Sequence, residues 1–180
     1  MFSTKGVSES GGKYIASGIR EVKITAIDSK EAEGNSTPAI FITFQEIGSD
    51  RTLNIRFAFS ENGAQYSLRK IKHIATKFVP EATVDAIDVA TVTEYANALR
   101  GLILNKELRM KFGGEEIMPN DPSKRSWIKA VVGFPPFAEP LTVNPASTAL
   151  IFDKDRDIKR LPATVTNPTD TVTRKADLPF

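Results

Sequence analysis

The stretch AIFITFQEIGSDRTLNIRFAFS, residues 39–60, decides the fold class because its apolar residues recur at every second position. The apolar residues of the first half share one face of a strand: Ile40, Ile42 and Phe44. Those of the second half do the same: Leu53, Ile55, Phe57 and Phe59. The polar break at residues 48–50, GSD, predicts a tight turn between two antiparallel strands.

Three other segments alternate in the same way. Before this stretch, residues 20–27, REVKITAI, have three apolar residues on one side: Val22, Ile24 and Ala26. The polar connection at residues 29–38 predicts a flexible hairpin loop, so the first three strands form a meander. Residues 107–113, ELRMKFG, have an inward face of Leu108, Met110 and Phe112. Residues 126–134, SWIKAVVGF, have an inward face of Ile128, Ala130, Val132 and Phe134.

Between the third and fourth strands the apolar period changes from 2 to 3.6, which is typical of a helix. From residue 62 to 78 an apolar stripe recurs at helical spacing: Ala64, Leu68, Ile71, Ala75 and Phe78. Ser60 or Asn62 is the expected cap of this helix. A second short helix is predicted from Val92 to Arg100, because Thr91 and Glu94 have capping-box spacing and Gly101 follows as a stop.

The order of three strands, helix and two strands resembles the OB-fold. That fold is a mainly β, five-stranded Greek-key barrel, with its helix between strands three and four. Seven of the eleven prolines follow residue 134, so we expect the compact domain to close near Phe137. The predicted organisation is a flexible N-terminal arm, the OB-fold domain, an extended arm that can pack on the domain, and a flexible tail: residues 1–17, 18–137, 138–162 and 163–180.

The amino-acid composition limits the classes of protein to which this chain can belong. The chain has 180 residues, 41% of them hydrophobic and 26% charged, which is typical of a globular domain. It has no cysteine, so disulfides and thiolate metal sites are excluded. No apolar stretch is long enough for a signal peptide or a membrane span, so we expect a cytoplasmic protein with no membrane partner. A net charge of +2 makes the placement of the charges more informative than their sum.

The outward faces of the predicted strands combine aromatic and basic residues. A surface that binds single-stranded nucleic acid needs flat rings for unstacked bases and cations for phosphates. The residues expected to provide them are Phe41, Arg56, Arg109, Lys111, Lys124, Arg125, Trp127 and Lys129. Trp127 is the only tryptophan and lies inside a basic interval. The alternative is that Trp127 and Phe41 cover a bare edge of the barrel and that the cations are solvated surface.

Catalytic and metal-binding patterns are weak, so we expect neither an enzyme nor a cofactor or metal ion. His73 is the single histidine and lies beside Lys72 on the predicted helix, which favours a helix-surface residue over a catalytic triad. The run DKDRD, residues 153–157, resembles the start of a calcium loop. Ile158 and Thr164 stand where that loop needs Gly and Glu, so the match fails.

The last four residues carry a resemblance to a known family. A basic, aromatic OB-like domain followed by a Pro- and Thr-rich tail ending in Asp-Leu-Pro-Phe resembles the single-stranded DNA-binding proteins of bacteria and their phages. The resemblance implies that Phe180 fills an apolar pocket on replication and repair partners and that Asp177 adds a charge contact; the tip comprises Asp177, Leu178, Pro179 and Phe180. The tail is neutral where the family's is acidic, and the long helical region favours a divergent phage-type member.

The expected function is therefore to coat and protect single-stranded DNA, with little sequence preference, during phage or bacterial DNA replication, recombination or repair. Two alternatives stay open. One is an OB-type protein-interaction module whose aromatic residues form the interface, and the other is an RNA-binding protein that uses the same face. The sequence leaves the oligomeric state open.

Overall fold

A computed structural model of the chain describes residues 13–120 and 125–161. Within them, seven strands follow in chain order: β1 (Gly18–Lys30), β2 (Ala39–Glu46), β3 (Thr52–Ala58), β4 (Glu107–Ile117), β5 (Trp127–Val132), β6 (Ala138–Pro140) and β7 (Ile158–Lys159). The α-helices of this part of the chain are α1 (Ala64–Ala75), α2 (Glu81–Asp85), α3 (Val92–Ile103) and α4 (Lys154–Asp157). A turn of 3-10 helix spans Pro145–Ser147. The prediction of a mainly β chain is confirmed.

The strands form one sheet in the order β3-β2-β1-β4-β5, and these neighbours are antiparallel. The meander of β1, β2 and β3 is as predicted. β6 pairs antiparallel with residues 108–110 of β4, and β7 pairs parallel with residues 114–115. β3 and β5, at the two ends of the order, lie close together, but no ladder of hydrogen bonds joins them in the described ranges.

The inward side chains of the sheet build the core, with α1 and α3 packed against them. Phe44 of β2 and Phe112 of β4 meet edge to face with their ring centroids 5.9 Å apart. Ile71 of α1 and Leu99 of α3 have no exposed surface and belong to the same apolar cluster. Burying a side chain of this size contributes about 1.5 to 3 kcal/mol, so the cluster accounts for much of the stability.

A bulge in β1 changes the predicted alternation of that strand. The pairing register between β1 and β2 shifts between Ile24 and Ala26. An extra residue in one strand reverses which side of the sheet the following side chains face. As a result Ile27 is buried, whereas Ala26, predicted to face the core, is half-buried.

Both predicted helices exist, with different ends. α1 begins after Gly63, whose amide hydrogen-bonds the Ser60 carbonyl, and neither expected side-chain cap forms. α3 has the predicted capping box, in which the Glu94 amide donates to the Thr91 hydroxyl at 3.1 Å. The helix continues through Gly101 to Ile103, so the predicted stop is wrong. The short helix α2 was not predicted.

The end of β5 also differs from the prediction. The strand ends at Val132, and the chain turns away through Gly133 and the Pro135-Pro136 pair. Phe134, expected on the inward face, is 77% exposed. Phe137 enters the core in its place and is fully buried. No described helix is long and apolar enough to cross a bilayer.

Two glycines provide a test of the packing around β4. A Cβ on Gly114 would lie 2.6 Å from Cγ2 of Ile128 on β5 and 3.1 Å from Cγ1 of Ile158 on β7. A Cβ on Gly101 of α3 would meet nothing within 4 Å. We expect Gly114→Ala to lower the free energy of unfolding by about 1 to 3 kcal/mol through overpacking.

Gly101→Ala is the matched control. Because alanine is the better helix former, it should raise the free energy of unfolding by about 0.5 to 1 kcal/mol. Urea unfolding followed by circular dichroism would measure both variants. Equal stability of the two variants would contradict the close approach of β5 and β7 at Gly114.

Candidate nucleic-acid interface

Four of the predicted binding residues lie on outward strand faces around the gap between β3 and β5. Phe41 of β2 lies directly opposite Arg56 of β3 in the ladder. Trp127 and Lys129 are two residues apart on β5 and therefore share its outer face. Arg56 and Lys129 line one cavity of about 280 Å³ between the two strands. We call these four residues the sheet face.

The polar and aromatic groups of the sheet face differ in exposure. Trp127 is 51% exposed, and both Arg56 and Lys129 are exposed, whereas Phe41 is half-buried. A guanidinium nitrogen of Arg56 donates to the Thr37 carbonyl at 3.1 Å, which leaves its other N–H groups available. The sheet face therefore offers one open indole, part of a phenyl ring and two cations.

The structure corrects the prediction for Arg109, which is only 4% exposed. Its guanidinium lies 2.7 Å from a carboxylate oxygen of Glu139 and 3.0 Å from one of Glu21, and it donates to the Val143 carbonyl at 3.0 Å. Glu139 is itself 6% exposed. A guanidinium satisfied by two carboxylates and a carbonyl has a structural role, so Arg109 leaves the set of candidate phosphate ligands.

Glu139 stays ionised despite its burial. Burial raises the pKa of its carboxyl, but hydrogen bonds from the Thr148 hydroxyl, Arg109 and the Ala149 amide outweigh it and hold the pKa below its usual value. A carboxyl with a lowered pKa in the folded state stabilises the fold above its ordinary pKa. That contribution is lost as the pH falls through the pKa of the folded protein.

Lys111 is also less available than predicted. Its side chain is 12% exposed, and its ammonium lies 3.5 Å from a carboxylate oxygen of Asp157. Hydrogen bonds from Arg156 and from the Asp153 amide, together with the Lys111 charge, lower the pKa of Asp157 to about 2. Asp157 is therefore ionised at neutral pH and competes with any phosphate for Lys111.

The remaining predicted residues are Arg125, Lys124 and the C-terminal tip. Arg125 is exposed just before β5. Lys124 lies outside the described residues, as does the tip of Asp177, Leu178, Pro179 and Phe180. The roles of these six residues stay predictions.

A larger groove lies beside the sheet face and was not predicted. Its walls are β5, the turn that follows β5, and residues 149–159 of the extended arm, and its volume is about 720 Å³. We call it the arm groove. Phe134 and Lys70 line it, and Lys70 also lines the cavity of the sheet face. The Pro-Pro pair after Phe134 is the sequence signal that could have placed this ring outside the core, because proline has no N–H to donate to a strand ladder.

No protein-family model matches the chain, and no curated protein matches it significantly.

His73, the single histidine, is half-buried on α1 and packs against Phe137. Its ring lies 4.3 Å from the ring of Phe137, centroid to centroid, and its Nε2 accepts a hydrogen bond from the Phe137 amide at 3.4 Å. Burial lowers the pKa of His73, and the nearby charge of Lys77 lowers it further. In the described ranges, no group of three histidine, aspartate or glutamate residues has the geometry of a metal site.

The ion pair of Arg109 and Glu139 yields a stability test. We expect Arg109→Met to lower the free energy of unfolding by about 3 to 5 kcal/mol, because it leaves Glu139 as an uncompensated buried charge. The double variant with Glu139→Gln should lose less, since its buried amide is neutral. Urea unfolding curves of both variants measure the difference. A loss of under about 1 kcal/mol for Arg109→Met would contradict the structural role, and Arg125→Met serves as the exposed control.

Proposed function

We propose that this chain is a single-stranded DNA-binding protein that coats and protects DNA strands, with little sequence preference, in phage or bacterial DNA replication, recombination or repair. The observation that carries the proposal is the cavity between β3 and β5. Arg56 and Lys129 line it from opposite strands, and Trp127 and Phe41 share the outward faces around it. This placement supports the proposal, because it brings cations that can contact phosphates and rings that can stack on bases to neighbouring strand faces.

The chemistry of these groups fits a single strand better than a duplex. Aromatic rings stack on bases only when the bases are unstacked from each other, and each such contact contributes about 1 to 3 kcal/mol. Every base has a flat face, so stacking tolerates any sequence. The cations add a salt-dependent attraction to the phosphates that is also independent of sequence.

The proposal includes the OB-fold. Three features of the sheet support it: the strand order, the position of α1, α2 and α3 between β3 and β4, and the approach of β3 to β5. Strands β2 and β3 of such a barrel are the face that binds oligonucleotides in many OB-fold proteins. Phe41 and Arg56 lie on these strands.

One observation favours the alternative of a protein-interaction module. Trp127 lies opposite Ile117 in the ladder, and Met118, the next residue, is 60% exposed. Trp127 and Met118 are thus two exposed apolar side chains near the end of the β4–β5 pair, which a protein partner could cover. In that case Trp127 would contact a protein partner and DNA would be irrelevant.

Titration of the intrinsic fluorescence of Trp127 with oligo-dT tests the proposal, since Trp127 is the only tryptophan. We expect quenching as bases stack on the indole, with an affinity that falls as salt rises. Arg56→Ala and Lys129→Ala should each weaken binding and reduce the slope of log K against log salt by about 1.

The control is Lys106→Ala, which removes an exposed lysine in the turn before β4 and should leave the slope unchanged. Absence of both quenching and binding at low salt would refute the DNA-binding function and leave the interaction module. Equal or tighter binding of an RNA of the same sequence would instead favour the RNA-binding alternative.

Two further parts of the proposal rest on the sequence alone. One is recruitment of replication and repair proteins through the tip from Asp177 to Phe180, and the other is a cytoplasmic location. The tip lies outside the described residues, so its docking role stays a prediction from the resemblance.

A further inference from the structure

The arm groove is open, partly aromatic and deep enough to hold a nucleotide. Its volume of about 720 Å³ is within the range of small-molecule sites. The floor contains the glycines at 113 and 114 of β4, so backbone rather than side chains forms part of the surface. Phe134 and Ile151 stand at the rim, 77% and 66% exposed. Exposed apolar side chains around a concave surface indicate a binding site.

The charges of the arm groove favour an anion. Four cationic side chains line it, against two carboxylates: Lys70, Lys111, Arg156 and Lys159, with Glu115 and Asp157. Asp157 contacts both Lys111 and Arg156, so that part of the groove is internally paired. Lys159 is 82% exposed and only 3.8 Å from Glu115, a solvated contact that a phosphate can replace at little cost.

Lys70 is the cation best placed for a ligand. Its ammonium donates to the Val132 carbonyl at 2.9 Å, and in the described ranges it makes no salt bridge to a carboxylate. The contact with Val132 uses one of three N–H donors and neutralises no charge. Burial lowers the pKa of Lys70, so a neighbouring phosphate would restore stability to its charged form.

Phe134 provides a flat surface next to that ammonium. The Lys70 nitrogen lies over the ring, 5.6 Å from its centroid, and holds it by a cation–π contact. The high exposure of Phe134 leaves ring surface open to solvent. A base stacked on this ring would place its own phosphate within reach of Lys70.

The arm groove lies next to the cavity of the sheet face. Lys70, Val131 and Val132 line both cavities, so the two cavities are neighbours on the protein surface. Arg56 and Lys129 line the cavity of the sheet face, and Lys159 lines the arm groove. A small molecule would occupy only one of the two cavities, whereas a polynucleotide is long enough to contact both.

We infer that the arm groove is a second nucleotide subsite of the same DNA strand, in which one base stacks on Phe134 and the adjoining phosphate contacts Lys70. This inference rests on the proposed function. It adds a second stacking position to Trp127, and it makes residues 149–159 a wall of the binding surface.

Oligo-dT of increasing length tests the subsite, with the quenching of Trp127 as the report from the sheet face. Phe134→Ala should leave the affinity for the shortest quenching oligonucleotide unchanged. For oligonucleotides long enough to reach the arm groove it should weaken affinity about 5- to 150-fold, the loss of one stacked base. Lys70→Met should weaken the same long complexes and reduce their salt slope by about 1.

Tyr14→Ala is the matched control, because Tyr14 is an aromatic residue with 67% exposure that lines neither cavity. As a second measurement, long oligonucleotides carrying 5-iododeoxyuridine should photocrosslink to the peptide that contains Phe134. Wild-type affinity of Phe134→Ala at every length would overturn the subsite while the quenching of Trp127 still supported DNA binding. Absence of both quenching and binding in the unmodified protein would instead overturn the proposed function, and the subsite with it.

Discussion

The buried ion pair between Arg109 and Glu139 joins the segment just after the fifth strand to the middle of the sheet. Arg109 lies on the outer face of β4, where Glu21 of β1 and Glu139 of β6 approach it from opposite sides. The same guanidinium binds the Val143 carbonyl, and Glu139 accepts from the Thr148 hydroxyl. Arg109 and the two carboxylates that it binds therefore connect β1, β4, β6 and the loop that follows β6. Without a carboxylate at this place, the cost of burying Arg109 would not be offset.

The reason for this cluster lies in the lengths of the strands. β4 runs from Glu107 to Ile117, but β5 pairs only with residues 112–117 of it. The remaining edge would expose unpaired backbone groups, which are a liability in any sheet. β6 fills that edge beside residues 108–110, and β7 adds to the opposite edge beyond the end of β1. The extended arm thus completes the sheet, and its later residues form one wall of the arm groove.

Much of the fold could be predicted because alternation is a local property. The faces of β2, β3 and β4 and the capping box of α3 follow from residues a few positions apart. The bulge in β1 could not be predicted, because one extra residue is invisible until the partner strand is known. Arg109 was correctly placed on the outer face of its strand, but its burial depends on Glu139, 30 residues away. The alternation predicted an inward position for Phe134, but the strand ends two residues earlier, at Val132.

Because Arg109 and Lys111 are paired with carboxylates, the cations that a ligand can reach lie at the gap between the two end strands rather than in the middle of the sheet. Arg109 and Lys111 of β4 are occupied by Glu139 and Asp157, so a phosphate there would have to displace a buried or short contact. Arg56, Lys129 and Lys70 face no such competitor among the salt bridges of the described residues. A strand binder needs a connected row of free cations rather than many cations. At this gap, therefore, Arg56, Lys129 and Lys70 could meet a phosphate without giving up a salt bridge of the described residues.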